Sequence, residues 1–310
     1  MGLSGERILI IKLGALGDFV QALGPMAAIA AHHPNAEITL LTTAPFRALA
    51  GHLPWVDRVL VDERPRPWRI DRVLALRRTL RAPGFDRVYD LQTSGRSAWY
   101  FRLMGRPEWS GVAPGCALPH ANPDRDHMHT LDRQREQLAM AGIAEVPPPD
   151  LSWLEAPLPA DTPAAPCALL VPGGAPHRPA KRWPAEGYAA LGRRLKAERD
   201  LTPVLLGTAG EADLTAAITA DCPGAVDLAG RTDLPQLAAL GRRAGLAVGN
   251  DTGPMHLLAV AGAPSVVLFS HDSDPALCAP RGPRVTIRRA PDLADLALET
   301  VMDAVAAVAF

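Results

Sequence analysis

The run Ala244-Gly245-Leu246-Ala247-Val248-Gly249-Asn250-Asp251-Thr252-Gly253-Pro254-Met255-His256-Leu257-Leu258-Ala259-Val260-Ala261 decides the fold. Ala244 to Val248 is an apolar stretch of strand length. It stops at Gly249-Asn250-Asp251-Thr252-Gly253, and an apolar helical pattern opens behind Pro254. Proline suits the first turn of a helix, where its missing N–H has no intrahelical partner. Asp251 and Thr252 are N-cap residue types. The free N–H groups and positive dipole end of such a helix make an anion site, and Gly253 removes a side chain that would hinder a ligand's approach. The same residues would also make a well-capped strand–turn–helix that binds nothing.

The unit repeats in both directions. Toward the N-terminus of this half, Cys167–Val171 reads as a buried strand ending in Pro172-Gly173-Gly174-Ala175-Pro176 and a loop through Lys181-Arg182-Trp183-Pro184. A helix over 185–199 follows. Then come a strand over 202–206 ending in Gly207-Thr208-Ala209-Gly210-Glu211, a helix over 234–243, a strand over 265–269 and a tail helix over 293–308. The first half alternates in the same way. Strands are expected at 7–11, 37–42, 57–61 and 86–91, and helices at 19–33, 45–51, 70–81 and 95–104, with a last helix carrying His129 and Arg133 on one face and reaching Ala141. Strands alternating with helices imply βαβ units and doubly wound parallel sheets. Between the halves, prolines crowd residues 146–166. Such density resists regular structure, so the domains are expected at 1–155 and 156–310, with the C-terminal helix free to return to the first.

Composition narrows the function classes. The chain has 310 residues and a net charge of −1, which excludes a global basic field of the kind that binds nucleic acid. Four scattered cysteines form no metal-ligand spacing and fit a reducing compartment. Ile8–Ile11 is too short for a signal-peptide core and Lys12 ends it, so a cytoplasmic location is expected, with at most peripheral contact with the inner membrane. Lys12, Lys181 and Lys196 are the only lysines in an arginine-rich chain.

Candidate site residues fall at strand ends, where open parallel sheets bind ligands. In the second half, Gly173 and Gly174 offer backbone amides, Glu211 could bond ribose hydroxyls, Lys181 supplies positive charge, and Asp251-Thr252-Gly253 opens a helix. In the first half, Lys12-Leu13-Gly14-Ala15-Leu16-Gly17-Asp18 is a glycine-rich turn that is neither GxGxxG nor a Walker loop, so a dinucleotide fingerprint is absent. Asp18 is either a plain N-cap or a catalytic carboxylate. Arg64, Arg66 and Arg69 lie on an irregular loop that could hold an anionic acceptor or simply be solvated. Together these features suggest a nucleotide-sugar enzyme with its site between domains.

The turn 12–18, Pro172-Gly173-Gly174 with Lys181-Arg182-Trp183-Pro184, Leu228-Ala229-Gly230-Arg231-Thr232, and Asn250 to His256, in that order, resemble the motifs of glycosyltransferase family 9, the ADP-heptose:lipopolysaccharide heptosyltransferases. The resemblance implies a GT-B fold of two Rossmann-like domains with a cleft between them, acceptor on the N-terminal side and nucleotide sugar on the C-terminal side. It implies an inverting transfer from an ADP-sugar to a lipopolysaccharide core or related envelope glycan, with Asp18 as base and Lys181 neutralising the diphosphate. Asp251, Thr252 and Gly253 would form the donor-phosphate turn, with His256 one helical turn on. Glu211 would bind ribose, Thr232 would complete the donor site, and Gly17 with the Arg64–Arg69 loop would face the acceptor. No cofactor and no metal are implied, because the nucleotide sugar is itself a substrate. Ser270-His271-Asp272-Ser273-Asp274-Pro275 is one residue longer than the Gly-Pro-Thr-Asp-Pro common in the family, so the donor sugar is not carried over with the motifs. The alternatives are a sibling using another nucleotide sugar or a protein acceptor, and a binder of nucleotide sugars without turnover.

Overall fold

The computed structural model describes residues 5–164, 166–174 and 178–308, so Ala175 and Pro176 of the glycine loop lie outside the described residues. The chain divides into two compact units, Met1–Pro149 and Asp150–Phe310. In the first, the order is β1 (Arg7–Ile11), α1 (Leu16–Gln21), α2 (Leu23–His32), β2 (Glu37–Thr42), α3 (Arg47–Ala50), β3 (Arg58–Val61), α4 (Ile70–Arg81), β4 (Arg87–Asp90), α5 (Gly95–Met104), β5 (Glu108–Gly111), β6 (Leu118–Pro119) and α6 (Thr130–Met140). The second runs β7 (Cys167–Val171), α7 (Ala185–Arg199), β8 (Thr202–Leu205), α8 (Ala212–Ala220), β9 (Val226–Asp227), α9 (Leu234–Arg243), β10 (Leu246–Asn250), α10 (Gly253–Val260), β11 (Ser265–Phe269), α11 (Pro275–Cys278), β12 (Val285–Arg289) and α12 (Leu298–Val308).

Each unit is built on a six-stranded sheet, ordered β3-β2-β1-β4-β5-β6 in the first and β12-β11-β10-β7-β8-β9 in the second. Every pairing is parallel. Numbered within its own unit, the second sheet has the same strand order as the first, the Rossmann order in which winding reverses beside the first strand. Central strands buried on both faces need continuous apolar runs. Ile8, Leu9, Ile10 and Ile11 of β1 and Leu246, Ala247 and Val248 of β10 are all fully buried.

The structure departs from the sequence-based expectations where local signals are weak. The helix expected over 19–33 is two helices that begin earlier and break at Ala22. Pro25 has no N–H to continue the ladder, so it fits the first turn of a new helix and not the middle of an old one. The strand expected to begin at Ala244 runs instead from Leu246 to Asn250. Strands β5, β6, β9 and β12 are additions. The first three are short or polar and β12 is a half-buried edge, so none has an apolar run to announce it. The tail is a short 3-10 turn followed by α12, whose buried residues Val301, Ala304 and Val305 join the core of the second unit, packed on β11, β12 and α7.

Candidate functional site: two strand-end loops at the switch points

In the second unit winding reverses between β7 and β10, and the loops leaving these two strands are tied together by Asn250. This fully buried side chain ends β10. Its Nδ2 donates to the carbonyls of Pro172 (2.8 Å) and Gly173 (3.1 Å). Its Oδ1 accepts from the Trp183 backbone N–H (3.1 Å) and the Tyr188 hydroxyl (3.0 Å). One amide thus satisfies four partners from the glycine loop, the lysine loop and α7, which a buried polar group requires.

That clamp brings Lys181 against Asp251. Lys181 Nζ donates to Asp251 Oδ2 at 2.6 Å, with side chains only 11% and 9% exposed, and the Ser273 hydroxyl donates to the same oxygen at 2.6 Å. Asp251 therefore does not cap α10. Thr252 holds the N-cap position, but its hydroxyl bonds the Asn250 carbonyl (3.2 Å) and does not cap the N–H groups of that helix. Gly253 is its first residue, and the buried His256 lies one turn in.

Glu211 shapes the neighbouring loops. Its Oε1 accepts from Gly174 N–H (3.0 Å) and its Oε2 from the Thr208 backbone (2.8 Å) and hydroxyl (3.0 Å). A Cβ on Gly173 would meet this carboxylate, so any larger residue there would have to displace the Glu211 side chain from its place between the two loops. Gly230, at φ +68°, packs on Ala209, which sets Thr232, partly exposed, just beyond the same loop. Arg182 donates to the Gly174 carbonyl at 2.5 Å.

In the first unit the reversal lies between β1 and β4. Lys12 is buried and its ammonium donates to the Leu91 carbonyl at 2.9 Å. Leu13 N–H donates to Gln92 Oε1 (2.8 Å), and Gly14, at φ +122°, sits against the Phe46 ring. Asp18 is not an N-cap. Ala15 holds that position, and Asp18 is the third residue of α1. Its carboxylate is partly exposed, and among the described residues no group donates a hydrogen bond to it. Gly17 is buried beside it. Arg64 reaches this turn, donating to the Leu13 carbonyl at 2.9 Å. Arg66 instead lies over the Trp68 ring and Arg69 pairs with Asp71, both exposed, so the structure brings one of the three loop arginines to the glycine turn. His129 caps α6 by accepting from Leu131 N–H (3.2 Å), and Arg133 lies one turn on, its N–H donating to the His129 carbonyl.

A family model described as glycosyltransferase family 9 (heptosyltransferase) matches residues 73–302. The chain belongs to this family. Among relatives of this glycosyltransferase, lipopolysaccharide heptosyltransferase 2 of Escherichia coli K12 is 27% identical, over 86% of this chain and 83% of the relative. The lipopolysaccharide core heptosyltransferase OpsX of Haemophilus influenzae is 24% identical, over 86% and 79%. Among solved structures, that of E. coli ADP-heptose lps heptosyltransferase II superposes with a TM-score of 0.80 at 24% identity, covering 98% of both chains. That of E. coli heptosyltransferase WaaC with ADP gives 0.79 at 21% identity, covering 97% of this chain and 99% of the other. These likenesses agree with two Rossmann-type units in the GT-B fold.

Residues that sequence reasoning had left without a role join both candidate sites of this family 9 glycosyltransferase. Asn250 ties together the loops of the second, and Ser273, within the segment that departs from the family's pattern, donates to Asp251. Asp90 underlies the first. It is fully buried at the end of β4, and its Oδ1 accepts from Gln92 N–H (3.1 Å) and Thr93 N–H (2.9 Å), while Oδ2 has no hydrogen-bond partner. Burial pushes its pKa up to about 6 despite those backbone donors. Burial also pulls the Lys12 ammonium down to about 8, against the raising influence of Asp18 and Asp90. Desolvation is the leading cause in both groups. Among the described residues no group of three or more His, Cys, Asp or Glu side chains is placed to hold a metal ion, and no helix is long and apolar enough to cross a membrane.

Proposed function

We propose that this glycosyltransferase moves a heptose-type sugar from an ADP-sugar to a lipopolysaccharide core or a related envelope glycan. The observation that carries the reading is the Lys181–Asp251 pair, seated between the Gly173-Gly174 loop and the uncapped N-terminus of α10. A fixed cation beside free helix amides at a switch point suits a diphosphate that gains charge as it leaves. The names of the relatives, and the ADP and ADP-2-deoxy-2-fluoro heptose bound in solved members, support the choice of nucleotide and sugar.

In this scheme the acceptor hydroxyl attacks the anomeric carbon as the bond to the diphosphate oxygen breaks on the opposite face, inverting the configuration. Asp18 takes the hydroxyl proton, a role suited to a partly exposed carboxylate without a hydrogen-bond donor on it. Lys181 meets the charge developing on ADP. Asp251, an anion itself, serves by aiming the Lys181 ammonium, whose other two protons remain for phosphate oxygens. Amides at Gly173, Thr252 and Gly253 complete the donor-phosphate cradle, with Gly174 held to Glu211 beside them and His256 behind it. Thr232 and the lone pairs of Glu211 not held by backbone face the ribose. The second unit thus takes the nucleotide sugar and the first takes the acceptor, with Gly17, Arg64 and, more distantly, Arg66 and Arg69 on its side. Charge on the leaving group is met without calling on a metal.

Turnover with ADP-heptose and a lipopolysaccharide core acceptor, followed by ADP release and by the anomeric configuration of the product, tests the reading. Inverted product and preferential thermal stabilisation by ADP over UDP and GDP are expected. Retention of configuration, or stronger stabilisation by another nucleotide, would overturn it. Hydrogen exchange on the full chain should show ADP protecting residues 172–174, 208–211 and 250–256. Protection confined to the first unit would move the donor site there.

A further inference from the structure

Arg182 is the charged side chain on the donor-side loops that the sugar-transfer scheme leaves unused. It follows Lys181 in extended backbone (φ −115°, ψ 118°), and the two neighbours diverge. Lys181 turns to Asp251, whereas Arg182 turns back over the glycine loop and donates from Nη2 to the Gly174 carbonyl at 2.5 Å. Among the described residues that carbonyl is its only hydrogen-bond partner, and it has no acidic one. Yet the side chain is partly buried, and its Nε lies out of solvent with nothing to donate to. A guanidinium presents a planar fork of N–H donors and is always charged, so a single carbonyl leaves most of the fork unused. Partial burial of such a group without a counter-ion is costly unless a ligand meets the charge.

Gly174 fixes where that fork sits. A Cβ built there would stand 3.4 Å from Arg182 Cγ, 3.6 Å from its Nε and 3.9 Å from the Thr252 methyl, so the arginine stem and the N-cap residue of α10 border the same spot. The Gly174 residue is held from both sides, its N–H by Glu211 and its carbonyl by Arg182. Positive charge is otherwise scarce around it. Lys181 brings one ammonium, while Asp251 and Glu211 each bring a carboxylate. Arg231, on the adjoining loop, is taken up by Asp161, and Arg178 is exposed. A diphosphate set against Lys181, Asp251 and Glu211 alone would meet more negative charge than positive.

We propose that Arg182 is a further catalytic residue, its guanidinium binding the diphosphate of the donor from the glycine-loop side while Lys181 binds it from the side of α10. The inference rests on the reading of the second unit as the donor side and adds to it a second cation. Lys181 is a point charge aimed by Asp251, whereas Arg182 contributes a fork able to take two phosphate oxygens at once. When the bond between the anomeric carbon and the diphosphate oxygen breaks, its electron pair stays on that oxygen. The added negative charge spreads over the diphosphate, where the fixed guanidinium stabilises it more than it stabilises the intact donor.

Calorimetric titration of the full chain with ADP, UDP, GDP, adenosine and inorganic pyrophosphate, comparing wild type with Arg182→Gln and Arg182→Lys, tests it. Glutamine keeps an amide able to donate to the Gly174 carbonyl but carries no charge. Arg182→Gln should therefore bind ADP and pyrophosphate about ten- to a hundredfold more weakly, with adenosine affinity and melting temperature near wild type. Turnover of ADP-heptose should fall by at least as much, and Arg182→Lys should lie between the two. Should the glutamine variant not fold, the lysine variant carries the comparison: weaker pyrophosphate binding at an unchanged melting temperature supports the proposal, and wild-type pyrophosphate binding overturns it. Equal weakening of adenosine and ADP, or wild-type pyrophosphate binding and turnover by Arg182→Gln, would likewise overturn it and make Arg182 a brace of the glycine loop. Preference of the wild type for UDP or GDP, with Arg182→Gln impaired toward that nucleotide, would overturn the ADP reading and uphold the role of Arg182, because the diphosphate is common to all three.

Discussion

The loops after β1 and β7 occupy the same topological position in two sheets of the same strand order, yet they treat charge in opposite ways. In the second unit the cation and the carboxylate meet directly, Lys181 on Asp251, at the mouth of a helix. In the first they are kept apart. Lys12 is buried on a carbonyl, Asp90 is buried on backbone amides with one oxygen unpartnered, and Asp18 has no donor on its carboxylate among the described residues. The sheet sets where the two loops lie, and the loop residues set whether their charges are paired with each other or kept apart.

The largest effect is expected at Asp18. Asp18→Asn should lower sugar transfer about 10²–10⁴-fold while leaving the melting temperature and ADP affinity near wild type. Because Asp18 is not the N-cap, no change in capping complicates the result. Transfer within a few-fold of wild type would remove the base from the first loop and erase the contrast.

Lys181→Ala should cost on the order of a hundredfold or more in kcat, from the lost stabilisation of the departing diphosphate. Lys181→Arg should recover only part of it, since a planar guanidinium places its donors differently from a point-charge ammonium. Near-normal turnover of the alanine variant would mean that the pair is structural.

Asp251→Asn sharpens the comparison. If the carboxylate only aims Lys181, kcat should fall roughly ten- to hundredfold through misplacement, while ADP affinity is kept or improved because a negative charge has left the phosphate site. A fall in ADP affinity without a fall in kcat would instead make Asp251 a direct donor ligand.

The smallest effect concerns Asp90 and is read in stability. Its folded pKa, about 6, lies above its ordinary 3.8, so between these values the folded protein binds more protons than the unfolded chain. Its contribution to stability therefore falls as pH rises from about 4 to about 6. Asp90→Asn should remove that slope, so that the melting temperature of the variant relative to wild type climbs across the window. Lys12, pulled down from 10.5 to about 8, works in the other direction: its charged form is the costly one, and its contribution improves from pH 8 upward. A flat difference between Asp90→Asn and wild type from pH 4 to 6 would show that the first loop does not bury its charges at a cost, and would weaken the contrast with the second.

Much of this was readable in the sequence. Apolar runs such as Ile8–Ile11 and Ser265–Phe269 can only be strands buried on both faces, and helix limits such as 70–81, 95–104, 185–199 and 234–243 follow from periodicity and end signals. The glycine turns and the four ordered motifs indicated the family. Those signals are local, carried by residues close in the chain. What only the tertiary structure decided was pairing across long separations. Lys181 finds Asp251 seventy residues away, and Glu211 finds Gly174 across thirty-seven. Asn250 gathers Pro172, Gly173, Trp183 and Tyr188 into one clamp. A sequence motif names the residue types able to hold an anion. Whether a given carboxylate caps a helix, aims a lysine or stays free depends on which donors the fold brings within about 3 Å of it, and hydrogen bonding at that range has no signature in local composition.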